Sequence, residues 1–267
     1  MRISVVVPAY NEAGNIGRLV REILDTVPGP LLGEIIVVDD CSSDGTGTEV
    51  RVLAGTRVRH LRHQRRAGQS AALRSGVRAA RHPVIVTLDG DGQNDPADIA
   101  ALVRELGTEG GEPALVGGVR QKRQASGSKR WASLFANRLR ASLLADDCPD
   151  TGCGLKAFRR AAFLDLPYFS TMHRYLPALF LTYGHKVAYV PVGDRPRLAG
   201  RSKYTNLGRA LVGIYDLFGV VWLRRRTVLP PVSEESGAAS GATSALTIAS
   251  PPIDVSILPA TMRAAAP

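Results

Sequence analysis

Asp89 and Asp91 stand two residues apart in Thr87-Leu-Asp-Gly-Asp-Gly-Gln-Asn-Asp-Pro96. The run before them, Val84-Ile-Val-Thr-Leu88, has the composition of a buried strand. Gly90 and Gly92 break that strand, and Asp95 followed by Pro96 reads as a helix N-cap and first helical residue. Carboxylates at the end of a buried strand in an α/β pattern face the crevice where such sheets bind ligands. Hard oxygen ligands in that place suit Mg²⁺ or Mn²⁺ holding a substrate phosphate. An acidic surface turn has the same composition, because Asp-Gly turns are common.

Three further strand ends carry polar residues able to converge on the same crevice: Pro8-Ala-Tyr-Asn-Glu12, Asp39-Asp40 and Gly117-Gly-Val-Arg120. The elements that must position them follow from periodicity. Ile3–Val7 is a first strand, stopped by Pro8. Ile16, Leu19, Val20, Ile23, Leu24 and Val27 form the apolar stripe of a helix. Glu34–Val38 is a second strand and Val58–Leu61 a weak third. Gln69–Arg81 is helical and Val84–Leu88 is a fourth strand. Ile99, Leu102, Val103 and Leu106 mark a helix after Pro96, and Leu115-Val116 is a short strand. Alternating strands and helices predict an α/β fold: a mostly parallel, Rossmann-like sheet with helices on both faces.

The 267 residues suffice for one large domain with appendages, and the formal charge of +10 calls for anionic partners. Aromatic residues are sparse and not interleaved with the basic runs, which argues against a nucleic-acid stacking platform. Cys41, Cys148 and Cys153 are few and odd in number, as expected in a reducing compartment. No leader peptide is expected, and no apolar run reaches the roughly 20 residues that span a bilayer. Between Glu112 and Asp146 the chain has no acidic residue but seven basic ones, with Trp131, Leu134, Phe135 and Leu139 at helical spacing. That pattern fits an interfacial or substrate-lining helix, or an ordinary amphipathic helix packed on the core. Leu207–Leu223, ending in Arg224-Arg-Arg226, is interrupted by Asp216. It fits an amphipathic helix at a membrane surface, a packed helix or a dimer contact. The expected organisation is a catalytic domain over 1–206, an amphipathic interfacial helix over 207–226 and a disordered tail over 232–267.

Pro-x-Tyr-Asn-Glu12, Val37-Val-Asp-Asp-x-Ser-x-Asp-Gly-Thr46 and Asp89-x-Asp91 together resemble the family-2, inverting nucleotide-sugar glycosyltransferases of the GT-A fold. Asp89-x-Asp91-x-Gln93 followed by Arg197-x-x-Gly200-x-Ser202-Lys203 is similar to the polyprenol- or dolichol-phosphate mannosyltransferase branch, over about residues 1–226. The resemblance implies transfer of a hexose onto a polyprenyl phosphate, with mannose from GDP-mannose the nearest match. UDP-linked glucose or hexosamine, passed to a lipid phosphate or a saccharide hydroxyl, is the alternative. It further implies that Pro8, Tyr10, Glu12, Val38 and Asp40 line the base and ribose pocket. Asp89, Asp91 and Gln93 then serve Mg²⁺ or Mn²⁺, with Gly90 in the donor turn.

A lipid phosphate is already anionic and needs no general base if cations hold it in line. The supply is Arg120, Lys129, Arg130, Arg197 and Lys203, with Ser133 as a donor. Arg120 is expected at both donor and acceptor, Lys129, Arg130 and Ser133 at the lipid phosphate, and Arg197 and Lys203 over the donor. The family's acceptor-binding Arg, four residues before the Ser, is replaced here by Lys129 with Arg130 beside it. Asp91, Arg120 and Arg197 are the expected catalytic set. Asp39 is expected to be structural. The implied partners are a nucleotide sugar, a polyprenyl phosphate, a membrane surface and a membrane-embedded protein, but no nucleic acid. The implied location is peripheral, on the cytoplasmic face of a membrane.

Overall fold

A computed structural model describes residues 1–107, 113–121, 143–144, 146–196 and 206–230, with side chains in the last segment described from 213 onward. Seven strands form one sheet: β1 (Ile3–Ala9), β2 (Leu32–Asp39), β3 (Val58–Arg62), β4 (Val84–Thr87), β5 (Leu115–Arg120), β6 (Lys156–Arg159) and β7 (Val187–Val192), in the order β3-β2-β1-β4-β6-β5-β7. The β3-β2-β1-β4 half is parallel throughout. β6 runs antiparallel to both β4 and β5, and β7 returns parallel to β5. The expected sheet is therefore present as a mostly parallel, mixed one.

The strands are apolar on both faces because both faces are covered. Val5, Val7, Ile35, Val37, Val84 and Val86 enter one core with α1 (Ile16–Thr26), α2 (Thr46–Leu53) and α4 (Ile99–Leu106). The alternate residues Val6, Ile36, Val38 and Ile85 enter the other. There they meet α3 (Gln69–Ala79), α5 (Arg160–Leu164), α6 (Leu176–Thr182) and α7 (Asn206–Arg226). Phe158, Phe163 and Phe180 fill this second core, with Phe158 stacked on Phe163 at 5.0 Å.

Pro8 does not stop β1, which runs through it to Ala9. β4 pairs with β1 only as far as Val6↔Thr87, so Pro8 has a ladder neighbour only in β2, at Val38. A proline without an N–H is tolerated where one side of the strand is already free. β2 likewise extends to Leu32–Asp39, and β4 ends at Thr87, one residue earlier than expected. Asp95 caps as the sequence predicted, its Oδ1 accepting from the Ala97 N–H at 2.9 Å at the start of a 3₁₀ turn, Pro96–Asp98, that feeds α4.

α7 lies with Val220 buried and Leu217, Val221 and Leu223 packed on the second core. Arg224 is not part of an exposed arginine cluster. It turns inward, donating to the carbonyls of Leu143 and Leu144 and to Thr182 Oγ1, while Arg225 and Arg226 remain exposed. The reason is geometric: carbonyls of the neighbouring chain lie within reach of a guanidinium there, and buried carbonyls need donors.

Candidate active site

The carboxyl ends of β1, β2, β4 and β5 and the start of the antiparallel β6 lie at one edge of the sheet. This is where ligands collect in such folds. Beyond β1 the chain bends through Asn11, whose φ of 52° lies in the left-handed region. Asn11 Oδ1 accepts from the Ser43 N–H at 2.8 Å, and its own N–H donates to Ser42 Oγ at 2.9 Å. Glu12 then donates its N–H to Thr46 Oγ1 at 2.8 Å and accepts from Asn15 Nδ2 at 3.0 Å. Tyr10 faces the loop after β3, with the Arg66 guanidinium 4.1 Å from its ring centroid. Pro8 and Val38 are buried and adjacent in register.

Asp39 and Asp40 are both buried at the end of β2. Asp39 accepts from the Ser42 N–H at 2.8 Å and from Arg62 at 3.3 Å, the internal role expected of it. Asp40 accepts from the N–H groups of Ala67 and Gly68 at 2.8 and 2.7 Å and pairs with His63 Nδ1 at 2.7 Å. It therefore fixes the 63–68 loop, and with it Arg66, beside the strand end.

The Asp89–Gln93 turn is built tightly. The Gln93 N–H donates to Asp91 Oδ1 at 3.1 Å, the Asp89 N–H to Asn94 Oδ1 at 3.3 Å, and Gly92 takes a φ of 73° that favours glycine. Gln69 Nε2 donates to Asp89 Oδ1 at 2.8 Å. Gly154 is required opposite: a Cβ there would meet the Asp89 carboxylate at 2.3 Å. Burial pushes the Asp89 carboxyl up to about 6, helped by the neighbouring Asp91 charge and opposed by Lys156, the Gln69 hydrogen bond and Arg120.

Among the described residues no three His, Cys, Asp or Glu side chains cluster as a complete protein cage for a metal. The donor set nevertheless fits Mg²⁺ or Mn²⁺. Such ions commonly take one or two carboxylates and complete their shell with substrate phosphates and water. The repulsion that the Asp91 charge exerts on the Asp89 carboxylate is also what a divalent cation would relieve. Gln93 directs its amide nitrogen toward the Arg195 carbonyl at 3.4 Å, and the Arg195 N–H donates back to the Gln93 carbonyl at 3.1 Å. Arg195 also pairs with Glu22 and Asp95, both at 2.5 Å. The chain leading to Arg197 is thereby strapped to the acidic turn.

Arg120 ends β5, near enough to Asp89 to act on its charge, and one edge of its guanidinium is paired. Its Nε and Nη2 make a bidentate pair with Asp150 at 2.7 and 2.9 Å, which raises the guanidinium's basicity further. Lys129, Arg130, Ser133, Arg197 and Lys203, and the 232–267 tail, lie outside the described residues.

A cavity of about 160 Å³ opens at this edge, lined by Asp89, Gln69, Thr151, Lys156, His173 and Arg174 together with Pro8 and other residues. Lys156 is buried, opposite Thr87 in register, with Nζ donating to the Cys153 carbonyl. His173 Nδ1 lies 2.7 Å from Ser70 Oγ. The sequence reading passed over Gln69, Lys156, His173 and Arg174. Lys156 closes the glycine-rich run Thr151-Gly-Cys-Gly-Leu-Lys156, which is the available signal. His173 and Arg174 carried none.

A family model described as Glycosyl transferase family 2 matches residues 4–166. The chain is 32% identical over 236 residues to dodecaprenyl-phosphate galacturonate synthase of Rhizobium johnstonii, covering 86% of this chain and 69% of that protein. It is 35% identical over 222 residues to undecaprenyl-phosphate 4-deoxy-4-formamido-L-arabinose transferase of an Enterobacter species, covering 81% and 66%. The chain thus spans about two thirds of the length of the curated relatives it matches. Among solved structures it resembles glucosyl-3-phosphoglycerate synthase from Mycobacterium tuberculosis in complex with Mn²⁺, UDP and glucosyl-3-phosphoglycerate. The TM-score is 0.63 at 23% identity, over 87% of this chain and 82% of the other, a likeness of fold.

Proposed function

Because the chain belongs to glycosyl transferase family 2, and is a glycosyltransferase on a GT-A-like sheet, we propose that it moves a sugar from a nucleotide diphosphate onto a polyprenyl phosphate. The observation that carries this reading is the acceptor shared by the relatives. Proteins 32% and 35% identical over more than four fifths of this chain are named for transfer to dodecaprenyl and undecaprenyl phosphate. Their sugars are galacturonate and a formamido-arabinose, and several solved neighbours hold UDP or UDP-glucose. Support therefore moves from GDP-mannose to the UDP-linked alternative, with an acidic or amino-modified sugar in place of mannose.

The chemistry is a single displacement. A phosphate oxygen of the acceptor forms a bond to the anomeric carbon. The bond from that carbon to the diphosphate oxygen breaks, and its electron pair leaves with UDP. Attack opposite the leaving group inverts the anomeric configuration. No proton has to be removed from an ionised phosphate, so a dedicated base is dispensable. Asp89 and Asp91, with Gln93, would hold Mg²⁺ or Mn²⁺. When bound, that ion supplies counter-charge to the diphosphate. Gln69 and Gly154 hold the Asp89 carboxylate in place for that role. Arg197 and Lys203 follow the Arg195 strap and are part of the same reading, as closing residues over the donor.

Among the described residues no helix is long and apolar enough to cross a membrane. α7 instead exposes Ile214, Tyr215, Phe218 and Trp222 on one side, with Arg225 and Arg226 at its end. We assign this face to an anionic membrane surface on the cytoplasmic side, where the lipid acceptor resides. Attachment through a membrane-embedded partner belongs to the same reading.

The test offers purified protein, with Mn²⁺ or Mg²⁺, a panel of radiolabelled UDP- and GDP-sugars and undecaprenyl phosphate. A parallel arm offers a soluble saccharide alcohol. Label is expected in the organic phase. Equal or faster transfer to the saccharide would replace the lipid-phosphate reading with transfer to a hydroxyl.

A further inference from the structure

We propose that Arg174 is the seat of the acceptor's phosphate group, with Lys156 of the same cavity as its supporting cation. The proposal rests on the lipid-phosphate reading above. Of the residues that the sequence marks for the acceptor, Arg120 gives the Nε–Nη2 edge of its guanidinium to Asp150, and Lys129, Arg130 and Ser133 lie outside the described residues. Arg174 is different. It is half-buried, it lines the cavity that also holds Asp89, and among the described residues no carboxylate lies within ion-pair distance of it. A partly desolvated guanidinium on a cavity wall is suited to a dianionic phosphate, which it can bind with two parallel hydrogen bonds. Lys156, buried in the same wall, adds a second positive charge.

The backbone that carries Arg174 is held from two sides. Arg174 closes a 3₁₀ turn, Met172–Arg174. On the inner side, His173 is bound twice to the buried Ser70 at the start of α3: its N–H donates to Ser70 Oγ at 3.2 Å, and its Nδ1 lies 2.7 Å from the same oxygen. On the outer side, Thr171 Oγ1 donates to Asp216 Oδ2 at 2.7 Å and Tyr175 Oη donates to the Gly213 carbonyl at 3.0 Å. Both of those partners are on α7. The turn therefore joins the helix with the exposed apolar face to the cavity with the acidic turn. A phosphate at the head of a long apolar chain needs that juxtaposition: apolar surface for the chain, and a fixed cation where the chain ends. Asp216, which interrupts the apolar run of α7, has its use as the anchor of this turn.

The same phosphate chemistry is offered by the donor's diphosphate, so the test separates the two. Wild type, Arg174→Gln and Arg174→Lys are titrated calorimetrically with farnesyl phosphate in one arm and with UDP plus Mn²⁺ in the other. Melting temperature serves as the folding control. Arg174→Gln is expected to weaken farnesyl phosphate roughly ten- to a hundredfold, as loss of a charge-assisted pair does. UDP affinity should stay within about twofold, and Arg174→Lys should fall between. In steady state the loss should appear in KM for the prenyl phosphate rather than KM for the donor. Unchanged farnesyl phosphate binding in a folded Arg174→Gln, or an equal loss of UDP, overturns the assignment. If Arg174→Gln does not fold, Arg174→Lys decides by the same criterion. Should wild type show the binding pattern yet transfer no sugar to any prenyl phosphate, the transfer reading falls and the phosphate seat stands.

Discussion

Replacing Asp89 with Asn should stabilise the metal-free protein while abolishing its activity. In the folded chain the Asp89 carboxyl is pushed from 3.8 to about 6, first by burial and then by Asp91. The unfolded chain gives up that proton at lower pH than the folded one. The folded state therefore binds more protons between about pH 4 and pH 6, and stability falls as pH rises through that window. A displacement of that size corresponds to about 3 kcal/mol against the ionised form. Asp89 is half-buried and solvent reaches the mouth of the cleft, so roughly 1–2 kcal/mol is expected in practice. Asn has nearly the same shape, fits opposite Gly154 and can still bond Gln69, so Asp89→Asn removes the charge without opening a cavity. The assay is urea unfolding in chelator, from pH 4 to pH 8. Asp89→Asn should exceed wild type by roughly 1–2 kcal/mol at pH 8 and match it at pH 4. Adding Mn²⁺ and UDP should then favour wild type, since ligand binding stabilises only the chain that binds. A variant that is less stable at pH 8 in chelator, or whose advantage does not vary with pH, would refute the reasoning.

Three further outcomes are expected. Asp150→Ala leaves the largely buried Arg120 without its bidentate partner and should cost about 3 kcal/mol in urea unfolding; a loss under 1 kcal/mol would show the pair to be a solvated one. Asp91→Ala should lower Mn²⁺-dependent transfer by roughly a hundredfold or more, with melting temperature unchanged; transfer that persists in chelator would remove the metal from the account. The double variant Phe218→Ser, Trp222→Ser alters only exposed positions of α7 and should reduce co-sedimentation with anionic liposomes while leaving UDP affinity intact; unaltered pelleting at both low and high salt would take the membrane contact away from that face.

The placement of much of the candidate site was legible because β1, β2 and β4 are continuous apolar runs that end abruptly in polar residues, and an α/β sheet puts such ends together. Asp89, Asp91 and Gln93, with Asp40 and Glu12, fall at that edge for this reason. β6 and β7 were not legible. Lys156-Ala-Phe-Arg159 has a charge at each end of a four-residue strand, and its antiparallel insertion between β4 and β5 is set by tertiary pairing. β7 carries Pro191 inside it, tolerated because its ladder partner is β5 alone. α2 escaped because Thr46-Gly-Thr-Glu-Val-Arg-Val-Leu53 is rich in β-branched residues and glycine, which helix propensity disfavours. Gly47 sits in a tight place there, since a Cβ would lie 3.2 Å from Asp39 Oδ2. Arg120 was legible as a basic residue at a strand end, but its partner Asp150 lies 30 residues away and no local pattern links them. His173 and Arg174 reach the cavity only through the packing of their turn between α3 and α7.

The most direct test of the central claim is the nucleotide released when the lipid is glycosylated. Purified protein, Mn²⁺, undecaprenyl phosphate and the UDP-sugar that transfers label are incubated together, and both the aqueous nucleotide and the extracted lipid are measured by mass spectrometry, with Asp91→Ala as control. The account predicts one UDP for each glycosylated lipid, a lipid product with a single phosphate between sugar and prenol, and neither product above background in the control. Release of UMP with a diphosphate-linked lipid would mean that the acceptor attacks phosphorus rather than the anomeric carbon, and would contradict the account.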